Sequence, residues 1–215
     1  MEEGGILDVM SVKNFDKEKV VERVFADNKL IDELLEGVSS KKSSVKYGSE
    51  RVLRAISEAK PEILYPYFDK FAALMQSNNN VIKWGAITII ANLTVVDFDN
   101  KFDDLFVTYF KPIKGPIVLT AGTIIDNAPT IAMEKPYLSE RIMKEILLVE
   151  KAKYKTPDCR NIAVEHAINA FGQFVELIHD KKMVVNFVKR YVESNKEPVK
   201  KSAIRFMRKY SKYTK

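Results

Sequence analysis

The sequence predicts an all-α fold, a right-handed α–α superhelix of about five stacked helical hairpins. Two features of the apolar pattern and one of the punctuation lead there. Apolar residues recur at intervals of three and four rather than two, which is helical spacing. A short motif returns at a near-constant interval, the mark of stacked helical pairs. The 8 Gly and 8 Pro sit mostly between the apolar stretches. Residues 1–17 read as an N-terminal tail and 18–215 as a single helical-repeat domain, with repeats at about 18–59, 61–95, 100–133, 137–178 and 182–211.

The first hairpin takes Lys19 to Gly37, with a break near Asp27-Asn28, and Ser44 to Ala59. It alone reads as three-helical. In the second, Ile63, Leu64, Tyr67, Phe68, Phe71 and Leu74 share one face of a helix from Pro61 to Gln76. The polar break Asn78-Asn79-Asn80 separates it from its partner, Val81 to Val95. The third pairs Asn100 to Phe110 with Pro116 to Met133, and the fourth pairs Tyr137 to Ala152 with Pro157 to Ile178. Lys182 to Ser194 and Glu197 to Ser211 make the fifth. Pro61, Pro116, Pro136, Pro157 and Pro198 fall at joints or first helical turns, where a missing N–H costs little. Pro129 is different: it is expected to kink or end its helix unless Asn127-Ala128 already terminates it.

Composition narrows the function classes. A chain of 215 residues with 46% hydrophobic and 30% charged residues can bury a full core and is not a disordered one. No apolar run approaches the roughly 18 residues of a membrane span. The first residues, Met1-Glu2-Glu3-Gly4-Gly5, are acidic where a secretory signal is basic and then apolar. The single cysteine, Cys159, excludes an internal disulfide framework and fits a reducing compartment, so a cytoplasmic protein is expected. Net charge is +6, yet residues 181–215 hold 12 Lys or Arg against Glu193 and Glu197 and so carry +10. A basic end of this kind suits an acidic partner, or serves as a well-solvated terminal helix pair.

The second helices align with one another. Ala86-Ile87-Thr88-Ile89-Ile90-Ala91-Asn92-Leu93 matches Ala121 to Ala128 at an offset of 35 and Ala163 to Ala170 at an offset of 77. Val45-Lys46-Tyr47-Gly48 echoes Ile82-Lys83-Trp84-Gly85 at an offset of 37. The small residues let neighbouring hairpins approach, and the flanking Ile and Leu build a core that no single hairpin can bury. The string Ala86-x-x-x-Ile90-x-Asn92-Leu93-Thr94 resembles the third-helix pattern of armadillo repeats. Ala121-x-x-x-Ile125-x-Asn127 repeats it and Ala163-x-x-x-Ala167-x-Asn169 does so more weakly. The two-helix hairpins are closer to the HEAT family, so the resemblance is to the armadillo/HEAT superfamily as an architecture. It is specific for fold and uninformative about function.

That resemblance implies a concave face on which asparagines hydrogen-bond the backbone of an extended peptide, and marks Asn92, Asn127 and Asn169 for that role. A carboxamide offers donors and an acceptor together, so it can pair with a peptide N–H and C=O. The competing reading has each Asn capping its own helix or bonding between repeats. Trp84 lies nearby as a packing residue or a stacking platform. A second candidate is the basic face Lys201, Arg205, Arg208 and Lys212, spaced four, three and four, with Ile204 and Met207 as the opposing buried stripe. Four cations on one face can hold phosphates.

The leading expectation is therefore a non-catalytic scaffold for a protein or peptide, needing no cofactor or metal. The alternative is a nucleic-acid-binding solenoid. A HEAT-like enzyme that excises alkylated bases ranks lower, with Trp84 and Asp126 as its nearest analogue of an aromatic and a carboxylate. His166, His179 and Cys159 lack the companions that metal binding or nucleophilic catalysis would need.

Overall fold

The computed structural model describes residues 5–12, 14–210 and 213, and all regular secondary structure among them is helical. The chain divides into two compact units, Met1–Phe102 and Asp103–Lys215.

In the first unit, the segment expected as a tail carries a short helix, α1 (Ile6–Met10), with Ile6 and Met10 fully buried. Asp16 starts α2 (Lys17–Ala26) by accepting a hydrogen bond from the Lys19 backbone N–H. Asp27 turns extended and separates α2 from α3 (Leu30–Gly37), so the break expected near Asp27-Asn28 is present. The long α4 (Ser43–Ala59) buries Val45, Val52, Leu53 and Ile56. The second repeat departs from expectation. Its first helix is split into α5 (Pro61–Leu64) and α6 (Phe68–Leu74) by a 3-10 turn at Tyr65–Tyr67. Pro66 lies in that turn and supplies no N–H to continue an α-helical ladder. Two repeats, not one, are therefore three-helical. The Asn79 side chain caps α7 (Asn80–Leu93), accepting from the N–H groups of Val81 and Ile82.

The division between units falls within α8 (Lys101–Phe110). Asp97 caps it, accepting from Lys101 N at 2.9 Å and Phe102 N at 3.0 Å, while Asn100 takes the positive φ of 56° that asparagine tolerates. In the second unit Gly115 turns the chain with a φ of 95°, and a Cβ there would lie 2.7 Å from the Lys153 carbonyl oxygen. Only glycine fits that position. The next helix, α9 (Val118–Glu134), continues past Pro129 and does not end there. The proline costs about 3 kcal/mol in a helix interior. Burial of Ile124, Ile125 and Ile131 on the same helix, at about 1.5–3 kcal/mol each, offsets it. Then follow α10 (Ser139–Leu147), α11 (Pro157–Phe174) capped by Thr156, α12 (Lys181–Lys189) capped by Asp180, and α13 (Glu197–Tyr210).

Second helices pack against second helices: α4 on α7 in the first unit, and α9 on α11 and α11 on α13 in the second. First helices close each repeat from behind, α6 against α7, α10 against α11 and α12 against α13. The second unit's core is heavily aromatic, with Phe106, Tyr109, Phe110, Phe171, Phe174 and Phe187 all essentially inaccessible.

Candidate functional site: the second-helix faces

Small residues set how closely these helices approach. In the first unit Gly85 of α7 lies against Glu50 of α4. A Cβ on Gly85 would sit 2.6 Å from Glu50 Cγ and 2.8 Å from Cδ, and would collide with Oε1 as well. The Glu50 carboxylate is buried and accepts from Arg54 Nε at 3.0 Å. Burial pushes its pKa up and the Arg54 charge opposes the rise. About two turns along α7, Asn92 Nδ2 donates to Ser57 Oγ of α4 at 2.9 Å. Asn92 thus bonds the neighbouring repeat. Trp84 is half-buried on the same helix.

The second unit repeats the theme with charged partners. His166 of α11 lies over Gly122 of α9, and its Nδ1 pairs with Asp126 Oδ1 at 2.6 Å. The Asp126 carboxylate raises the imidazole pKa, against burial, which lowers it. Asn169, one turn beyond His166, accepts from Arg205 Nη2 of α13 at 2.9 Å. Asn127 Nδ2 donates to the Thr123 carbonyl of its own helix at 2.8 Å. The three candidate asparagines are all half-buried, and two of them bridge repeats.

Two candidate groups that the sequence kept apart meet here, since Asn169 and Arg205 line one groove between α11 and α13. Its walls are Ile168, Asn169, Gly172 and Gln173 on one side and Arg205 and Lys209 on the other, above Phe206 and Tyr210. Lys201, Arg205 and Arg208 are exposed, as a basic face requires, while Lys212 lies outside the described residues. The buried stripe of α13 differs from the expected one. Ile204 and Met207 are only half-buried, and Val199, Ala203, Phe206 and Tyr210 pack inward. The stripe is rotated by about one residue because α13 packs on α11 as well as on α12.

Several bonds between repeats were not anticipated from the sequence. Tyr65 Oη donates to Asp97 Oδ1 at 2.7 Å, and Tyr137 Oη to Asp103 Oδ1 at 2.8 Å. Glu150 accepts from Arg190 Nη2 and from Tyr191 Oη, both at 2.7 Å. Each pair is separated by about one repeat length, and that shared spacing is the cue that would have found them. Among the described residues, no three His, Cys, Asp or Glu side chains are grouped to hold a metal, and no helix is long and apolar enough to cross a membrane.

No protein-family model and no curated protein sequence matches the chain. Solved structures do. A crystal structure of an engineered protein shares 14% identity over 97% of this chain and 88% of its own, with a TM-score of 0.57. The architecture is an armadillo/HEAT-like helical repeat. A designed armadillo repeat protein aligns at 13% identity over 94% of this chain and 89% of its own, with a TM-score of 0.49. Identities this low speak to fold alone. The first and second repeats have three helices each, and the later ones two α-helices each.

Proposed function

We propose that the chain is a non-catalytic interaction scaffold that holds a protein or peptide on the faces of its second helices. The observation that carries this reading is the row of polar side chains on α9, α11 and α13, in which Asp126 meets His166 and Asn169 meets Arg205 across successive repeats. Such side chains are held in position before any partner arrives, which reduces the ordering cost of binding. Asn92, Asn127 and Asn169 remain the residues assigned to main-chain recognition. Each makes a bond of its own, but a carboxamide has two N–H donors and an acceptor that takes two bonds. One contact does not exhaust it.

The test is selection of peptides from a random displayed library on the purified chain. Selected peptides should lose affinity for the Asn127→Ala/Asn169→Ala variant and keep it for Lys144→Glu, a change on the exposed side of α10. Loss on the α10 variant alone would refute the reading. The exposed cations of α13 support nucleic acid as the second reading, and it predicts binding that falls steeply with salt.

A further inference from the structure

We propose that the groove between α11 and α13 takes an extended acidic peptide with two carboxylates at alternate positions flanking an apolar side chain. This rests on the second-helix face being a peptide-binding surface, and it names the partner's chemistry.

The groove encloses about 340 Å³. That is at the low end of ligand clefts, enough for one or two side chains and too little for a large ligand. Among the described residues no acidic side chain lines it, and its outer wall carries Arg205 and Lys209. Arg205 differs in kind from its neighbours. Lys196 pairs with Asp158 at 2.8 Å, Lys200 with Glu193 at 3.4 Å and Lys201 with Glu197 at 3.5 Å. Arg205 is held instead by the uncharged Asn169 carboxamide. Its direction is fixed while its charge is not cancelled, and a guanidinium with five N–H donors keeps donors for a carboxylate.

Spacing selects the peptide. Arg205 and Lys209 stand four residues apart, a rise of about 6 Å along a helix. Alternate residues of an extended chain lie about 6.6 Å apart and face the same side. Two carboxylates separated by one residue therefore match the two cations. The intervening side chain faces the α11 wall, where Gly172 leaves room. A Cβ there would meet nothing nearer than Phe206 Cδ2 at 4.0 Å. The apolar floor favours a peptide over nucleic acid. Phe206 is 4% and Tyr210 3% exposed, so neither presents a ring face on which a base can stack.

The experiment is fluorescence anisotropy of labelled nonapeptides carrying Asp-Leu-Asp, Asn-Leu-Asn or Lys-Leu-Lys at their centre, titrated with the full chain. The chain should bind the Asp-Leu-Asp peptide about tenfold or more tightly than the other two. The Arg205→Glu/Lys209→Glu variant, with its helicity confirmed by circular dichroism, should lose that peptide and gain the Lys-Leu-Lys one. Equal binding of acidic and basic peptides, or an unchanged affinity in the double variant, would overturn the assignment. A single-stranded oligonucleotide that binds more tightly than the acidic peptide and is lost in the same variant would assign the groove to nucleic acid instead. If the acidic peptide fails while library-selected peptides still depend on Asn127 and Asn169, this inference falls and the scaffold reading stands.

Discussion

Replacing Gly85 by alanine tests how the repeats are held together, because two effects of known size oppose each other there. Alanine in a helix interior is favoured over glycine by about 0.8–1 kcal/mol. Against that, the new methyl would overlap Glu50 Cγ and Cδ at 2.6 and 2.8 Å, inside any real contact. Glu50 is 6% exposed and tied to Arg54 at 3.0 Å, so it has little room to retreat. Overpacking of this kind costs about 1–3 kcal/mol, and disturbing a hydrogen bond to a charged group costs about 1.5–3 kcal/mol. The clash wins. Gly85→Ala should destabilise the protein by about 1.5–5 kcal/mol net in urea unfolding followed by circular dichroism. Gly172→Ala is the matched control: with nothing nearer than 4.0 Å, it should stabilise by about 0.4–1 kcal/mol. Changing Glu50 to Ala should remove the obstacle, so that Gly85→Ala becomes neutral or stabilising in that background. A stabilising Gly85→Ala in the otherwise native chain would refute the reasoning, as would equal effects at the two glycines.

Other perturbations follow from the bonds between repeats. His166 has its pKa raised by Asp126 above the usual 6.5, so its contribution is fully present below that value and is lost as pH rises through the folded pKa. The stability advantage of the native chain over His166→Asn should shrink between acid and mildly alkaline pH, and an advantage that grows with pH would contradict the pairing. Asn92→Ala should cost about 1 kcal/mol, and a double-mutant cycle with Ser57→Ala should show a coupling of about 0.5–1.5 kcal/mol. Glu150→Ala should cost about 1–2 kcal/mol because one carboxylate serves both Arg190 and Tyr191. Hydrogen exchange should then quicken in α12 and α13 before any other helices.

The helices were legible because each depends on a local pattern. The spacing of Ile63, Phe68 and Phe71 marks a buried face whatever that face meets, and the break at Asp27-Asn28 needs only a nearby polar pair. Relations between helices were harder to read. The Asp126–His166 and Glu150–Arg190 pairs depend on the rotation of one helix against the next, which periodicity does not specify. The same rotation decides whether Ile204 or Ala203 faces inward on α13. Pro129 shows the same limit: its local cost was visible, while the burial of its neighbours, which lets the helix continue past it, is a tertiary quantity. Of the candidate site, the asparagine register was readable from the repeat alone. That Asn169 reaches Arg205, joining two separate candidate surfaces, required the packing of α11 on α13.

The hydrogen bonds that tie successive repeats, from Tyr65–Asp97 to Tyr191–Glu150, span only 32 to 41 residues of chain. This has a bearing on how the protein is made. Loop-closure cost rises by about 0.6 kcal/mol for each doubling of length, so partners this close are found early and at similar cost all along the chain. A growing polypeptide can seal each seam once the next hairpin has left the ribosome, without waiting for its far end. The seam between α11 and α13 obeys the same rule, with Asn169 and Arg205 36 residues apart. The groove is thus built from two helices that are near neighbours along the chain and can form as soon as both have been made.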